Sequence, residues 1–298
     1  MLSAGDRAPL FAVKTSDGGY WFSEEAGQRL VVSFVEELDE HLRAAAEELG
    51  LVWIVDEPRE PPPGVTVIVD DGQIKALYGI GEASAVLDAN LRVQAIVPGG
   101  ERIPDLPDTD LAAPVLTVPR VLEPDFCAEL IAEYDRTGGQ DSGFMRTDEQ
   151  GRTIAVHDHE HKRRQDVTLQ DPLRAALKDR VERRLIPEIQ KAFQFRATRV
   201  ERWIIACYEA ETGGHFKAHR DNTTKATAHR RFAVTINLND DFEGGELRFP
   251  EFGRRTYRAN TGDALVFSCS LLHEVTRVTR GRRFCTLPFL YDEALRSR

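Results

Sequence analysis

The chain has 298 residues, 41% of them hydrophobic and 30% charged, with a formal net charge of −10. That apolar content suffices for a sizeable core and argues against wholesale disorder, while an acidic chain is a poor candidate for non-specific nucleic-acid binding. No apolar run approaches the roughly 18 residues of a membrane span, and the opening MLSAGDRAPLFAVKTSDGG has no apolar core behind a basic leader, so a cytoplasmic protein without membrane partners is expected.

The length suggests two domains, and the charge is split to match. Residues 1–111 hold 8 Lys and Arg against 21 Asp and Glu, a balance of −13, whereas the remainder holds 31 against 28, a balance of +3. Between the two runs PGGERIPDLPDTDLAAP (98–114), whose four prolines forbid a helix or central strand. The expected organisation is a first domain over 1–103, a linker over 104–113 and a second domain over 114–298. All four cysteines (Cys127, Cys207, Cys269 and Cys285) fall in the second domain without C-x-x-C spacing, and read as buried or free thiols rather than a disulfide framework.

In chain order, LVVSFV (30–35) is a β-rich run, and LDEHLRAAAEELG after it has helical Leu/Ala spacing with Gly50 as its expected cap. LVWIVDE and VTVIVDD are two further strands, and SAVLDANLRVQAIV predicts a hairpin turning at Asp88-Ala89-Asn90. Strand–helix–strand followed by a hairpin predicts an α/β sandwich with a parallel pair first and an antiparallel pair last. With GDRAPLFAVKTSDGGYWF at its start and VTVIVDDGQIKALYGIG later, this domain resembles the thioredoxin-like fold, most nearly its peroxiredoxin branch. One departure decides its meaning. Where that family needs a nucleophilic thiol at a helix N-terminus, this chain has EELDEHLRAAAEE, so thiol peroxidase and disulfide-exchange chemistry are excluded for the domain. What remains is a scaffold, either inert (a folding or oligomerisation module) or substrate-recruiting.

The second domain opens with VLTVPRVLEPDFCAELIAEYD, a short strand and a helix with Pro124 in its first turn. ALKDRVERRLIPEIQKAF (176–193) is a second amphipathic helix, expected to bend before Pro187. VERWIIACYEA, FAVTINL, GGELRF, RTYRA, GDALVFS, LLHEVTRV and RRFCTLPFLY then predict short strands in a double-sheet jelly roll or barrel braced by the helices.

Within these strands, His219-Arg220-Asp221 places two donors at i and i+2, which share a face in extended chain, and His273 follows 52 residues after Asp221. Two imidazoles and one carboxylate on one octahedral face suit non-haem Fe(II) and leave positions open for co-substrate and O₂. H-x-D alone is a chance triplet, but its surroundings point the same way. Tyr208 and a tight Gly213-Gly214 turn precede it, and Arg283 lies ten residues after His273 inside an apolar strand. A guanidinium aimed into a barrel needs an anionic partner, and the distal carboxylate of a dicarboxylate is a natural one.

Taken in order, YEAETGGHFKAHRD, NLNDDFEGGELRF, GDALVFS and LLHEVTRVTRGRRF resemble the prolyl 4-hydroxylase-like branch of the Fe(II)/2-oxoglutarate-dependent dioxygenases, with VPRVLEPDFCAELI similar to that family's helical support. The resemblance implies a double-stranded β-helix in which His219, Asp221 and His273 bind Fe(II) and Arg283 holds the distal carboxylate of 2-oxoglutarate. Tyr208, Thr235 and Asn237 would line the co-substrate pocket, and Arg282 would face outward. It implies Fe(II), 2-oxoglutarate and O₂ as cofactor and co-substrates, and it admits ascorbate. The implied activity is hydroxylation of a C–H bond of a protein side chain, prolyl among the candidates, or of a small molecule, with release of succinate and CO₂. Asp221 favours hydroxylation over halogenation, since related halogenases have a small residue there. A related oxidation at the same site, desaturation or demethylation, is the nearest variant, and a non-catalytic jelly-roll sensor that kept its ligands is the alternative from another class.

His157, His159 and His161 form a second histidine-rich run whose first reading is a solvated or substrate-covering loop rather than a metal site. His215 reads as structural, Arg254, Arg255 and Arg258 as a solvated strand edge, and the cysteines as packing residues.

Overall fold

The computed structural model describes residues 2–15, 18–107, 111–148 and 150–295. Ser16 and Asp17, and Asp108–Asp110 of the linker stretch, lie outside the described residues. The chain divides into two compact units, one of Met1–Ala112 with Phe249–Arg255 and one of Ala113–Arg248 with Thr256–Arg298.

The first unit is built on a five-stranded sheet whose centre is the wholly buried strand Leu30–Ser33. Gly50–Val55 pairs parallel to it and Val65–Val69 parallel to that. On its other side come Ala83–Leu87 and then Val93–Pro98, both antiparallel and joined by the turn expected from the sequence. Strands buried on both faces need continuous apolar runs, which LVVS and GLVWIV supply. The helix Glu40–Glu48 starts where the Asp39 carboxylate accepts a hydrogen bond from the Leu42 amide at 2.9 Å, and it sinks Leu42 among Val31, Leu51 and Trp53. Gly50 does not cap this helix. It opens the next strand, where an added Cβ would lie 2.8 Å from Leu30 Cδ1, so close strand packing rather than a left-handed turn accounts for it. A short helix, Gln73–Tyr78, was not expected from the sequence; the Asp70 carboxylate starts it by accepting from the Ile74 and Lys75 amides at 2.9 Å each.

The second unit is β-rich, with two principal sheets. The larger runs Arg199–Glu201, Phe289–Tyr291, Phe232–Asn237, Arg282–Thr286, Ile204–Glu209, Gln165–Thr168 and Gln140–Asp141, with Ala264–Ser268 also paired to Phe232–Asn237 and Leu116–Val118 paired to Ala264–Ser268. The smaller runs Lys162–Arg163, His215–His219, His273–Val275, Leu247–Arg248 and Thr256–Tyr257. Alternation sorts the larger sheet's side chains. Ile205, Cys207, Val234, Ile236 and Phe284 share a core cluster with residues of the helices, including Leu130 and Ile189. Tyr208, Thr235, Asn237 and Arg283 are buried but lie outside that cluster, as period-two alternation requires of the opposite face.

The bracing helices are Pro124–Thr137, with Pro124 in its first turn, and a continuous helical run from Leu173 to Phe193. In that run Val181–Leu185 is a π-helical segment immediately ahead of Ile186-Pro187. Pro187 lacks an N–H and crowds the carbonyl four residues earlier, and widening the preceding turn relieves both problems. Between the two helices the structure places strands Phe144–Thr147 and Thr153–Val156, which the sequence does not announce. Most of this hairpin is solvated, so no apolar alternation marks it.

Candidate metal centre

His219 ends its strand directly opposite His273 on the neighbouring strand, with ring centroids 4.3 Å apart. Asp221 lies just beyond the strand end, so extended i, i+2 geometry does not by itself place it. Its amide donates to the Cys269 carbonyl at 3.0 Å and Arg230 donates to its carbonyl at 3.4 Å, while Arg220 turns away to the Ser270 carbonyl. The result gathers one ligand atom each from His219, Asp221 and His273 within 4.8 Å of one another. Asp221 Oδ2 is 3.2 Å from His273 Nε2, and Oδ1 is 3.6 Å from His219 Nε2.

The other ring nitrogens fix the chemistry of these imidazoles. His219 Nδ1 lies 2.7 Å from the Lys217 carbonyl and His273 Nδ1 lies 3.0 Å from the Leu271 carbonyl. A carbonyl only accepts, so each Nδ1 carries the proton and each Nε2 presents its lone pair to the shared point. Burial, with the His273 ring beside it, holds His219 well below the ordinary histidine range, which favours the neutral, ligating form. Burial alone would push Asp221 up, but attraction to the protonated forms of His273 and His219 reverses this and holds its carboxyl below the usual range. Phe216, which drew no attention in the sequence, stacks on His219 with centroids 3.5 Å apart, and Phe267 meets His273 edge-on at 4.7 Å.

Arg283, on the larger sheet, is 2% exposed. Its Nη2 donates to Thr235 Oγ1 at 2.8 Å and to Asn237 Oδ1 at 3.0 Å, and its Nε also reaches Asn237 Oδ1 at 3.2 Å. Nη1 is buried without a hydrogen-bond partner among the described residues. An unsatisfied guanidinium N–H in the interior is costly, and an incoming carboxylate oxygen would satisfy it. The donor set therefore fits a metal, and the orphaned Nη1 fits an anionic co-substrate. Arg282 faces the other way and pairs with Asp135 at 2.9 Å. Tyr208 stands opposite Arg283 in strand register, its ring 5.5 Å from the Arg283 guanidinium carbon. Gly214 permits the tight turn beneath it, since an added Cβ would lie 2.8 Å from Tyr208 Cα.

Arg164 is a second feature the sequence did not reveal. It is buried, donates to both Asp166 oxygens at 2.7 Å and reaches the Tyr208 hydroxyl at 3.4 Å. KRRQD reads as a solvated run because three consecutive cations give no hint that alternate ones turn inward.

The histidine run splits. His157 and His159 share Asp141 Oδ2, at 2.7 and 3.1 Å, whereas His161 packs its ring on Phe144 and Phe216. His215 bonds the Gly213 and Glu160 carbonyls through its two nitrogens, which is a structural role. All four cysteines are buried and free. Burial, aided by Glu123, pushes the Cys127 thiol up to about 11, and burial with Glu209 pushes Cys207 up to about 12. Thiolate chemistry is thus suppressed. The native protein at pH 8 is expected to react with fewer than about one equivalent of Ellman's reagent in minutes, and the denatured chain with all four cysteines. Rapid native labelling would show that a thiol is open to the site.

Residues 203–291 match the family model described as 2OG-Fe(II) oxygenase superfamily. A PKHD-type hydroxylase of Pseudomonas fluorescens is 32% identical over 101 residues, 31% of this chain and 43% of that protein. One from Synechococcus sp. is 29% identical over 94 residues, 29% of this chain and 41% of that protein. The matches to these relatives thus span about two fifths of their length. Among solved structures, a Trichoplax adhaerens prolyl hydroxylase in complex with a hypoxia inducible factor peptide aligns at TM-score 0.46 and 16% identity, covering 61% of this chain and 86% of that one. A Pseudomonas putida prolyl-4-hydroxylase aligns at TM-score 0.43 and 18% identity, covering 61% and 94%. Among the described residues no helix is long and apolar enough to cross a membrane.

Proposed function

We propose that the second unit is an Fe(II)- and 2-oxoglutarate-dependent dioxygenase that hydroxylates a C–H bond of a protein side chain or small molecule. The observation that carries this reading is the conjunction of the His219, Asp221 and His273 donor set with a buried, partly unpaired Arg283, inside the span that matches the oxygenase family. A pure binding module has no evident use for both. The fold implied is a double-stranded β-helix, with the two histidine ligands on the smaller sheet, Asp221 just past the end of one of its strands, and the co-substrate residues on the larger.

When bound, Fe(II) would supply oxygen activation coupled to decarboxylation of 2-oxoglutarate. The chain's own contribution is positional. The backbone carbonyls of Lys217 and Leu271 keep each Nδ1 protonated and each Nε2 free, and Arg283 fixes one end of the dicarboxylate with Thr235 and Asn237 holding the guanidinium in place. Tyr208 and the surrounding apolar side chains would keep bulk water from that end.

The peptidyl-proline class is one candidate for the prime substrate, with free amino acids and other metabolites beside it. For the first unit we propose a thioredoxin-like scaffold of peroxiredoxin type without redox activity. Its support is the parallel pair followed by an antiparallel pair in one sheet and the absence of cysteine from residues 1–111. The unit could recruit substrate or mediate oligomerisation.

The test is turnover. With Fe(II), 2-oxoglutarate, ascorbate and O₂, a screen of peptides, amino acids and metabolites should find a compound that stimulates succinate release and gains one oxygen by mass spectrometry. Failure of the protein to bind Fe(II) with 2-oxoglutarate in anaerobic titration would overturn the reading.

A further inference from the structure

Lys162 is 2% exposed, yet among the described residues no carboxylate lies within ion-pair distance of it. Its ammonium donates to Ser142 Oγ at 2.8 Å and to the Gly143 carbonyl at 2.6 Å, neither of them charged, although the Ser142 hydroxyl in turn donates to Asp166 Oδ2 at 2.5 Å. Buried ammonium groups are costly unless an anion compensates them. The neighbouring carboxylates are engaged elsewhere. Asp166 accepts two bonds from Arg164 and lies 3.3 Å from Arg202, and Asp141 is held by His157 and His159. Lys162, Arg164 and Arg202 thus share one buried counter-charge, and Arg164 takes both of its oxygens.

The position of this ammonium is informative. Lys162 pairs in register with Phe216, and its Nζ lies 5.0 Å from the centre of that ring. The same ring stacks on His219. Lys162 therefore stands one aromatic ring away from the metal ligands, on the smaller sheet, whereas Arg283 is on the larger one. A dicarboxylate co-substrate anchored by Arg283 and the metal already has both ends accounted for. A carboxylate meeting Lys162 would therefore belong to another molecule.

Resting on the oxygenase reading above, we infer that Lys162 is the recognition point for a carboxylate carried by the prime substrate. A lysine suits this task because it offers a compact point charge to one oxygen, whereas a guanidinium fork demands a bidentate partner. Burial, followed by the field of Arg164, pushes Lys162 down to about 6; Asp166 opposes this by more than Arg202 adds to it, and Asp141 opposes it least. An arriving carboxylate would restore the full ammonium and form a charge-assisted bond away from water. Neutral analogues, such as amides of the same acids, would gain no such bond.

The test uses the full chain loaded anaerobically with Fe(II) and 2-oxoglutarate, whose visible charge-transfer band reports the assembled site. N-acetyl-L-amino acids and their C-terminal amides are titrated as matched pairs, with binding read from perturbation of the band and from ligand-observed NMR. The wild type is expected to favour acids over amides by at least about tenfold, Lys162→Met to lose that preference, and Lys162→Arg to keep part of it. The band itself and the 2-oxoglutarate affinity should be unchanged in both variants. Equal binding of acids and amides, or no binding of either, by a wild type with an intact band would overturn the inference and leave the oxygenase reading standing. So would a Lys162→Met protein that keeps the acid preference and merely melts earlier, because Lys162 would then only pin the Ser142–Gly143 turn. A wild type without the band would sink the oxygenase reading and this inference with it.

Discussion

His219→Ala is expected to eliminate the Fe(II)/2-oxoglutarate charge-transfer band and to lower Fe(II) affinity by more than about 100-fold, exceeding the 10–100-fold loss usual when only a group supporting a metal ligand is removed. The expectation follows from how the three donors are held. His219 and His273 face each other across one strand pair, and Asp221 reaches both Nε2 atoms from the turn beyond. Removing His219 leaves one imidazole and one carboxylate, too few for a facial set. The fold should survive. His219 terminates its strand, its side chain is 14% exposed, and its main loss is the Phe216 stack, worth about 0.5–1.5 kcal/mol. A melting curve within a few degrees of wild type would therefore accompany the loss of metal. His215→Ala is the matched control, since both nitrogens of that ring are engaged by the Gly213 and Glu160 carbonyls. If His219→Ala retains the wild-type band at equal Fe(II), or if His215→Ala loses it, the ligand assignment is wrong.

How much of this was legible beforehand depends on the kind of signal involved. His219, Asp221 and His273, which the structure brings together, stood out as a ligand set, and Arg283 because a charge inside an apolar strand demands a partner. The buried strands of the first unit were readable as continuous apolar runs, and Pro124 and Pro187 marked a helix start and an irregularity by removing donors. Gly50 misled because a glycine after a helical run serves equally well for a left-handed cap or a close strand contact, and only packing against Leu30 decides between them. Lys162, Arg164 and the exposed hairpin at 144–156 were illegible for the converse reason. Their neighbours in sequence are polar; the hairpin is mostly solvated, and the burial of Lys162 and Arg164 comes from long-range pairing of their segment with Phe216 and the strand Ile204–Glu209. Phe216 was hidden in plain view, since a lone aromatic beside a ligand has many uses and no spacing rule.

Arg283→Ala is expected to raise the 2-oxoglutarate requirement by about two to three orders of magnitude while leaving Fe(II) binding intact, in line with the roughly 2–5 kcal/mol lost when a buried charge pair loses one partner. The wild-type guanidinium is fixed from one side by Thr235 and Asn237 and leaves Nη1 unmatched. Truncation removes the only group among these able to neutralise a buried carboxylate, and it strands Thr235 Oγ1 and Asn237 Oδ1, at a further cost of about 1–3 kcal/mol in stability. The variant should therefore melt earlier as well as bind co-substrate weakly. Arg283→Lys separates the two effects, because an ammonium restores charge but not the fork, and it should recover only part of the affinity. Arg282→Ala supplies the register control. Arg282 lies on the opposite face of the same strand, and its pair with Asp135 is half exposed, with side-chain exposures of 45% and 47%, so its loss should cost no more than about 1 kcal/mol of stability. Co-substrate affinity there should stay within about twofold of wild type, since such exposed pairs contribute little. The measurement is a 2-oxoglutarate titration at saturating Fe(II), read by the charge-transfer band and by succinate release. If the large effect appears in Arg282→Ala and not in Arg283→Ala, the strand presents the other face to the co-substrate. If neither variant changes the titration, the dicarboxylate is anchored elsewhere, and Lys162 and Arg164 become the cations to test in its place.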